Sequence, residues 1–132
     1  GEDGVYCPII CSTNAMAQNT TAYAGGFLAA HGAAFSDVAF PLPAGRLKRL
    51  WARDTAAIGG SESVIVELYV DIGAGAVATG IIVTLNAANQ YAFDLTHTYD
   101  IPNNALISPR VVTSVTSGSR TVHIGFELEN IS

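Results

Sequence analysis

Hydrophobic and polar residues alternate along most of the chain after residue 40, and the period is two, that of strands rather than helices. In residues 64–71, Val64, Val66, Leu68 and Val70 share one face, leaving Ile65, Glu67, Tyr69 and Asp71 on the other. A sheet with one buried side reads this way. The end of the chain repeats the pattern, with Val122, Ile124, Phe126 and Leu128 inward and Thr121, His123, Gly125 and Glu127 outward. Residues 80–85, 91–96 and 106–115 are further β-branched or aromatic runs, and the Gly, Ala and Asn residues of 71–79 and 86–90 read as connections. Pro102-Asn103-Asn104 and Ser117-Gly118-Ser119 carry turn chemistry. Residues 46–53 form a strand whose alternation slips, because Leu47 is out of phase with Leu50 and Ala52. That slip predicts a bulge near Lys48-Arg49.

Residues 5–11 and 37–42 complete a set of about eight short strands, with no helix expected. Eight antiparallel strands in a chain of 132 residues predict an all-β, two-sheet sandwich of jelly-roll type, with an immunoglobulin-like sandwich as the alternative. The first 39 residues differ in texture. Ala, Gly, Asn and Thr dominate residues 14–34, so 1–39 is expected to be an extended arm packing on the domain or a neighbour, and 40–132 the sandwich itself.

Composition narrows the function classes. Hydrophobic residues make up 49% of the chain, but 20 of them are alanine, and no apolar run approaches the ~18 residues of a spanning helix. No membrane partner is expected. Net charge is −5, the wrong sign for phosphate-dominated contacts, so no nucleic-acid partner is expected either. Cys7 and Cys11 lie about 13 Å apart if 5–11 is extended, beyond the ~7 Å that a disulfide tolerates. Two small buried thiols are the expectation, an intrachain or intersubunit disulfide the alternative. His31, His97 and His123 show no ligand spacing, so neither metal nor cofactor is expected.

The stretch Phe40-Pro41-Leu42-Pro43-Ala44-Gly45-Arg46-Leu47-Lys48-Arg49-Leu50-Trp51-Ala52-Arg53 resembles a pattern that recurs in small bacteriophage virion proteins. There, P-x-P-x-x-G-x-I-x-x-L-x-V is followed by a Gly/Ser turn, a strand ending near an Asp, a Thr-rich strand, an Asp-Thr segment, a short turn and a closing V-x-F-x-F-E strand. Here the pieces are Ala57-Ile58-Gly59-Gly60-Ser61, residues 64–71, residues 80–85, Asp94-Leu95-Thr96-His97-Thr98, Pro102-Asn103-Asn104 and residues 122–127. The match is one of element order over residues 40–129. Trp51, Pro109 and the cysteine pair depart from it, and Pro109 predicts an edge strand or a bulge. The resemblance implies a jelly-roll-like virion protein of the particle surface, a capsid-decoration or fibre protein, assembling as a homotrimer on a major capsid or other virion protein.

Residue chemistry supplies candidate contacts. Arg46, Lys48, Arg49 and Arg53 hold four of the six positive charges, a basic patch suited to an acidic partner surface. Trp51 stands outward between Arg49 and Arg53, the composition of an interface hot spot or of a stacking platform for a glycan receptor. Ile65 and Tyr69 form a second outward apolar strip, open to a partner or covered by the N-terminal segment. For catalysis there is little. Asp94 and His97 fall on opposite faces of a regular strand, Asp100 adds no third ligand, and Glu127 and Glu129 are expected to be solvated. No serine sits in a nucleophile elbow, so no catalytic residue is assigned and a non-enzymatic protein is expected.

Overall fold

The structure, a computed structural model, describes residues 6–26, 31–114 and 120–130. Its strands in chain order are β1 (Tyr6–Ser12), β2 (Thr21–Tyr23), β3 (Gly25–Gly26), β4 (Phe40–Leu42), β5 (Gly45–Asp54), β6 (Ser63–Asp71), β7 (Ala76–Asn86), β8 (Tyr91–Asp94), β9 (Tyr99–Ile101), β10 (Ala105–Thr113) and β11 (Val122–Glu129), with one helical turn, α1 (Phe35–Val38). Eight of these strands are the expected ones, and β2, β3 and β9 are additions of two or three residues each. They lie where the alternation is too short to read.

Two antiparallel sheets face each other. One runs β3–β1–β11–β5–β8 with β9 also on β5, and the other runs β2–β10–β6–β7 with β4 also on β10. Between them lies the core. Leu47, Leu50 and Ala52 of β5 and Val122, Ile124, Phe126 and Leu128 of β11 meet Val64, Val66, Leu68 and Val70 of β6, all buried. Each large side chain removed from water contributes roughly 1.5–3 kcal/mol. The inward faces of β6 and β11 are those the alternation predicts.

The slip in β5 is a bulge. Trp51 opposes Gly125 and Lys48 opposes Glu127, so Arg49 and Leu50 together face Phe126 alone. Arg49 takes up the extra residue at φ 55, which returns both Leu47 and Leu50 to the core. Two expected segments change. Within 37–42, only Phe40–Leu42 is strand, because residue 37 belongs to α1, where Asp37 Oδ2 accepts the Ala34 N–H at 3.2 Å and Phe35 is buried. The connection expected over 71–79 shrinks to a tip held by Asp71 Oδ1, which accepts the N–H groups of Gly73 and Gly75. Strand β7 therefore begins at Ala76.

Pro109 lies neither on an edge strand nor in a bulge: β10 is interior, between β2 and β6. Its missing N–H is replaced by a neighbour. The Ser108 hydroxyl donates to the Ala24 carbonyl at 2.9 Å, while Ala24 N–H donates to the Pro109 carbonyl at 2.8 Å. Cys7 and Cys11 are both free. Cys11 is buried as expected, but Cys7 is exposed, and one extended strand holds the two too far apart for an intrachain disulfide. At one end of the sandwich Arg120 and Asp54 form a buried pair at 2.9 Å, and Arg120 also donates to the carbonyls of Ala56 and Ala57. The turn expected at Ser117-Gly118-Ser119 lies outside the described residues.

Candidate interaction face

Pleating sends every second side chain of β1, β11, β5 and β8 to the outer surface of their sheet, and the register aligns them in rows. Tyr6, Glu129, Arg46 and Asp100 form one row. Pro8, Glu127 and Lys48 form the next, then Ile10, Gly125, Trp51 and Phe93, and finally Ser12, His123, Arg53 and Tyr91. The first two rows are mostly charged, the third is apolar, and the last sets Tyr91 beside the polar Ser12, His123 and Arg53.

The charged half cancels itself. Arg46 pairs with Asp100 at 2.8 Å, Lys48 with Glu129 at 3.0 Å and Arg49 with Glu127 at 3.0 Å. Lys48 and Arg49 also lie over the Tyr6 ring, 5.4 and 4.8 Å from its centroid. The hydrogen bond from Lys48 holds the Glu129 carboxyl below its ordinary pKa against the opposing effect of burial. The four-cation cluster is therefore no open basic patch, since β11 sets two glutamates beside it. Nor are Glu127 and Glu129 simply solvated. Arg53 is exposed and has no ion-pair partner among the described residues.

The apolar half is open to solvent. Tyr91 and Phe93 are each more than 60% exposed and Ile10 is 54% exposed, around a half-buried Trp51 whose indole lies against Gly125, and Leu95 just past the end of β8 is 67% exposed. The rings of Tyr91 and Phe93 meet edge to face, 6.3 Å between centroids and 82° between planes. A cluster of large apolar side chains left in water on one sheet face marks a surface that meets something. In the sequence, residues 91–96 read only as one more strand. The alternation does not tell which face of β8 is outward, because the inward position between Tyr91 and the strand end belongs to Asp94.

Asp94 is nearly buried and ties the two sheets at their open side. Its Oδ2 accepts the Ile82 N–H of β7 at 3.0 Å, and its Oδ1 accepts the N–H groups of Thr96 and His97, each at 3.1 Å. His97 Nδ1 lies 2.9 Å from the same carboxylate, since the strand ends at Asp94 and the chain turns back. The opposite-face expectation for Asp94 and His97 is thus corrected by a turn. Asp100 instead bonds Arg46, and the described residues contain no group of three or more His, Cys, Asp or Glu able to hold a metal.

Ile65 and Tyr69 do not join this surface. They stand half-buried on the outer face of the other sheet. Tyr23 packs edge-on against Tyr69 at 6.0 Å, Arg110 stacks over it at 4.6 Å, and Phe35 braces Tyr23 at 5.7 Å. The covering residues Tyr23 and Phe35 come from the N-terminal segment. No family model matches the chain, and no curated protein matches it.

Proposed function

We propose that this chain is a non-enzymatic assembly protein that joins polypeptide subunits through the outer face of the β1–β11–β5–β8 sheet. The observation that carries the reading is the solvent-facing cluster of Ile10, Tyr91, Phe93 and Leu95 around Trp51, beside a charged half that is internally neutralised. Burying such a cluster drives association by the hydrophobic effect, and the neutral ion-pair rows beside it impose no net repulsion.

If β2 with β4, and β8 with β9, are taken as interrupted single strands and the two-residue β3 is set aside, four strands fall in each sheet and all but one of the links between successive strands cross from sheet to sheet. The exception is the β6–β7 hairpin. We read this order as a jelly roll. Together with the element-order resemblance over residues 40–129, it supports a bacteriophage virion protein of capsid-decoration or fibre type, assembled as a homotrimer on the particle surface. A glycan-receptor role would use the same aromatics. The perpendicular Tyr91 and Phe93 rings favour the protein interface, because they cannot both lie flat against one sugar.

Light scattering coupled to size exclusion tests this directly, on the wild-type chain and on a Tyr91→Ser/Phe93→Ser variant whose folding is checked by circular dichroism. The expected result is a trimer, insensitive to reductant, that the double substitution converts to monomer. A wild-type monomer whose mass does not rise with concentration overturns the reading.

A further inference from the structure

Strand β1 is bonded along its whole length to β11 on one side, and among the described residues only β3 pairs with it on the other. Its register with β11 pairs Cys7 with Leu128, Ile9 with Phe126 and Cys11 with Ile124, and just beyond it Thr13 N–H donates to the Val122 carbonyl at 3.2 Å. By the alternation of antiparallel ladders, the odd-numbered residues turn their backbone groups to β11. Tyr6, Pro8, Ile10 and Ser12 turn theirs the opposite way. On that side β3 reaches only Cys11 and Ser12, and no described residue forms a ladder with Tyr6, Pro8 or Ile10. Pro8 suits this position, since an open edge is where a strand tolerates a residue without an N–H. The edge offers two donors, from Tyr6 and Ile10, and three carbonyls.

Beside the edge lies a cleft of about 670 Å³, between β1 and the α1–β4 segment. Ile9, Val38, Phe40 and Leu42 make its lining apolar, and Asp37 is the charged residue on its wall. Among the described residues, β1 beyond the reach of β3 borders one sheet and β4 borders the other, so the cleft lies along the seam of the sandwich.

We propose that this seam binds an extended segment of a different polypeptide, which adds to β1 as a strand and seats a bulky apolar side chain in the cleft. The two features select the occupant together. A small apolar ligand would fill the cleft and leave the edge unused, whereas a strand opposite Ile9 sends a side chain to the same side of the sheet as Ile9. Asp37 favours a lysine or arginine in the incoming segment. A second copy is disfavoured because β1 pairing with itself about Pro8 would lack a donor on both strands. The inference rests on the backbone edge of β1 and on the cleft, whereas the assembly reading rests on the outward side chains of the same sheet.

The test uses the full chain and a library of capped hexapeptides that alternate Val, Ile, Leu, Phe or Trp with Thr or Lys, with amide hydrogen exchange followed by NMR. The best-binding peptide is expected to slow exchange at Tyr6 and Ile10 by about tenfold or more, and N-methylation of its β1-facing amides to weaken binding by about tenfold. Each of the following overturns the proposal: no binding by any peptide, equal binding of the N-methylated form, or slow exchange at both amides in the free monomer. Protection that grows with protein concentration alone assigns the edge to a second copy and also overturns it.

Discussion

The hydroxyl of Ser108 reaches the carbonyl of Ala24 from the position next to Pro109, and it stands in for the N–H that proline lacks. Both Ser108 and Ala24 are fully buried, so this carbonyl has no water to turn to. A proline is thereby accommodated in an interior strand.

Ser108→Ala leaves a buried acceptor without a donor and is expected to cost about 1–3 kcal/mol. Urea unfolding measures this. The double variant Ser108→Ala/Pro109→Ala restores a backbone N–H aimed at Ala24, so it should recover part of the loss. A double variant no more stable than Ser108→Ala would show that the hydroxyl does not replace the ladder bond.

Trp51 sits so close over Gly125 that a Cβ on Gly125 has no room. Gly125→Ala is expected to displace the indole and destabilise the fold by about 1–3 kcal/mol, the range for overpacking. Because Trp51 is the only tryptophan, its emission reports the displacement as a red shift. Unchanged emission and stability would mean that the indole does not lie on Gly125 in solution.

Acid should weaken the closure between β7 and β8. Burial alone would raise the Asp94 pKa, but hydrogen bonds from the backbone of Ile82, His97 and Thr96 outweigh it and hold the carboxyl below its ordinary value. A folded pKa below the unfolded value of about 3.9 contributes stability that is fully present above that pH. It is lost as pH falls through the folded value. Stability measured from pH 6 to pH 2 should therefore fall less steeply in Asp94→Asn than in the wild type.

The two thiols should react very differently. Burial pushes the Cys11 thiol up to about 12, so it carries almost no thiolate at neutral pH, whereas Cys7 is exposed. A thiol reagent is expected to modify one cysteine per native chain and two per denatured chain. Intact mass without reductant should show no intrachain disulfide.

Much of the fold is legible because strand faces are a local property. Val64, Val66, Leu68 and Val70 alternate in the chain and are all buried, and the phase slip at Leu47 marks the bulge that Arg49 absorbs. The interaction face is less legible. Tyr91, Phe93 and Leu95 alternate as cleanly as a core strand, and it is the backbone N–H groups converging on Asp94 that turn Asp94 inward and the three apolar residues out. The cluster from Arg46 to Arg53 reads as basic until Glu127 and Glu129, about eighty residues later, arrive on the adjacent strand.

The sequence by itself determined the strand period, the inward faces of the long strands, the bulge in β5 and the all-β class. These follow from how a pleated backbone presents consecutive side chains, which neighbours in the chain suffice to set. Only the tertiary structure decided which strands are partners. With that came the cancellation of the basic cluster, the cover over Tyr69, the exposure of Tyr91 and Phe93 and the open edge of β1. Charge neutralisation and burial depend on residues brought together across long stretches of chain, and no local pattern carries that information.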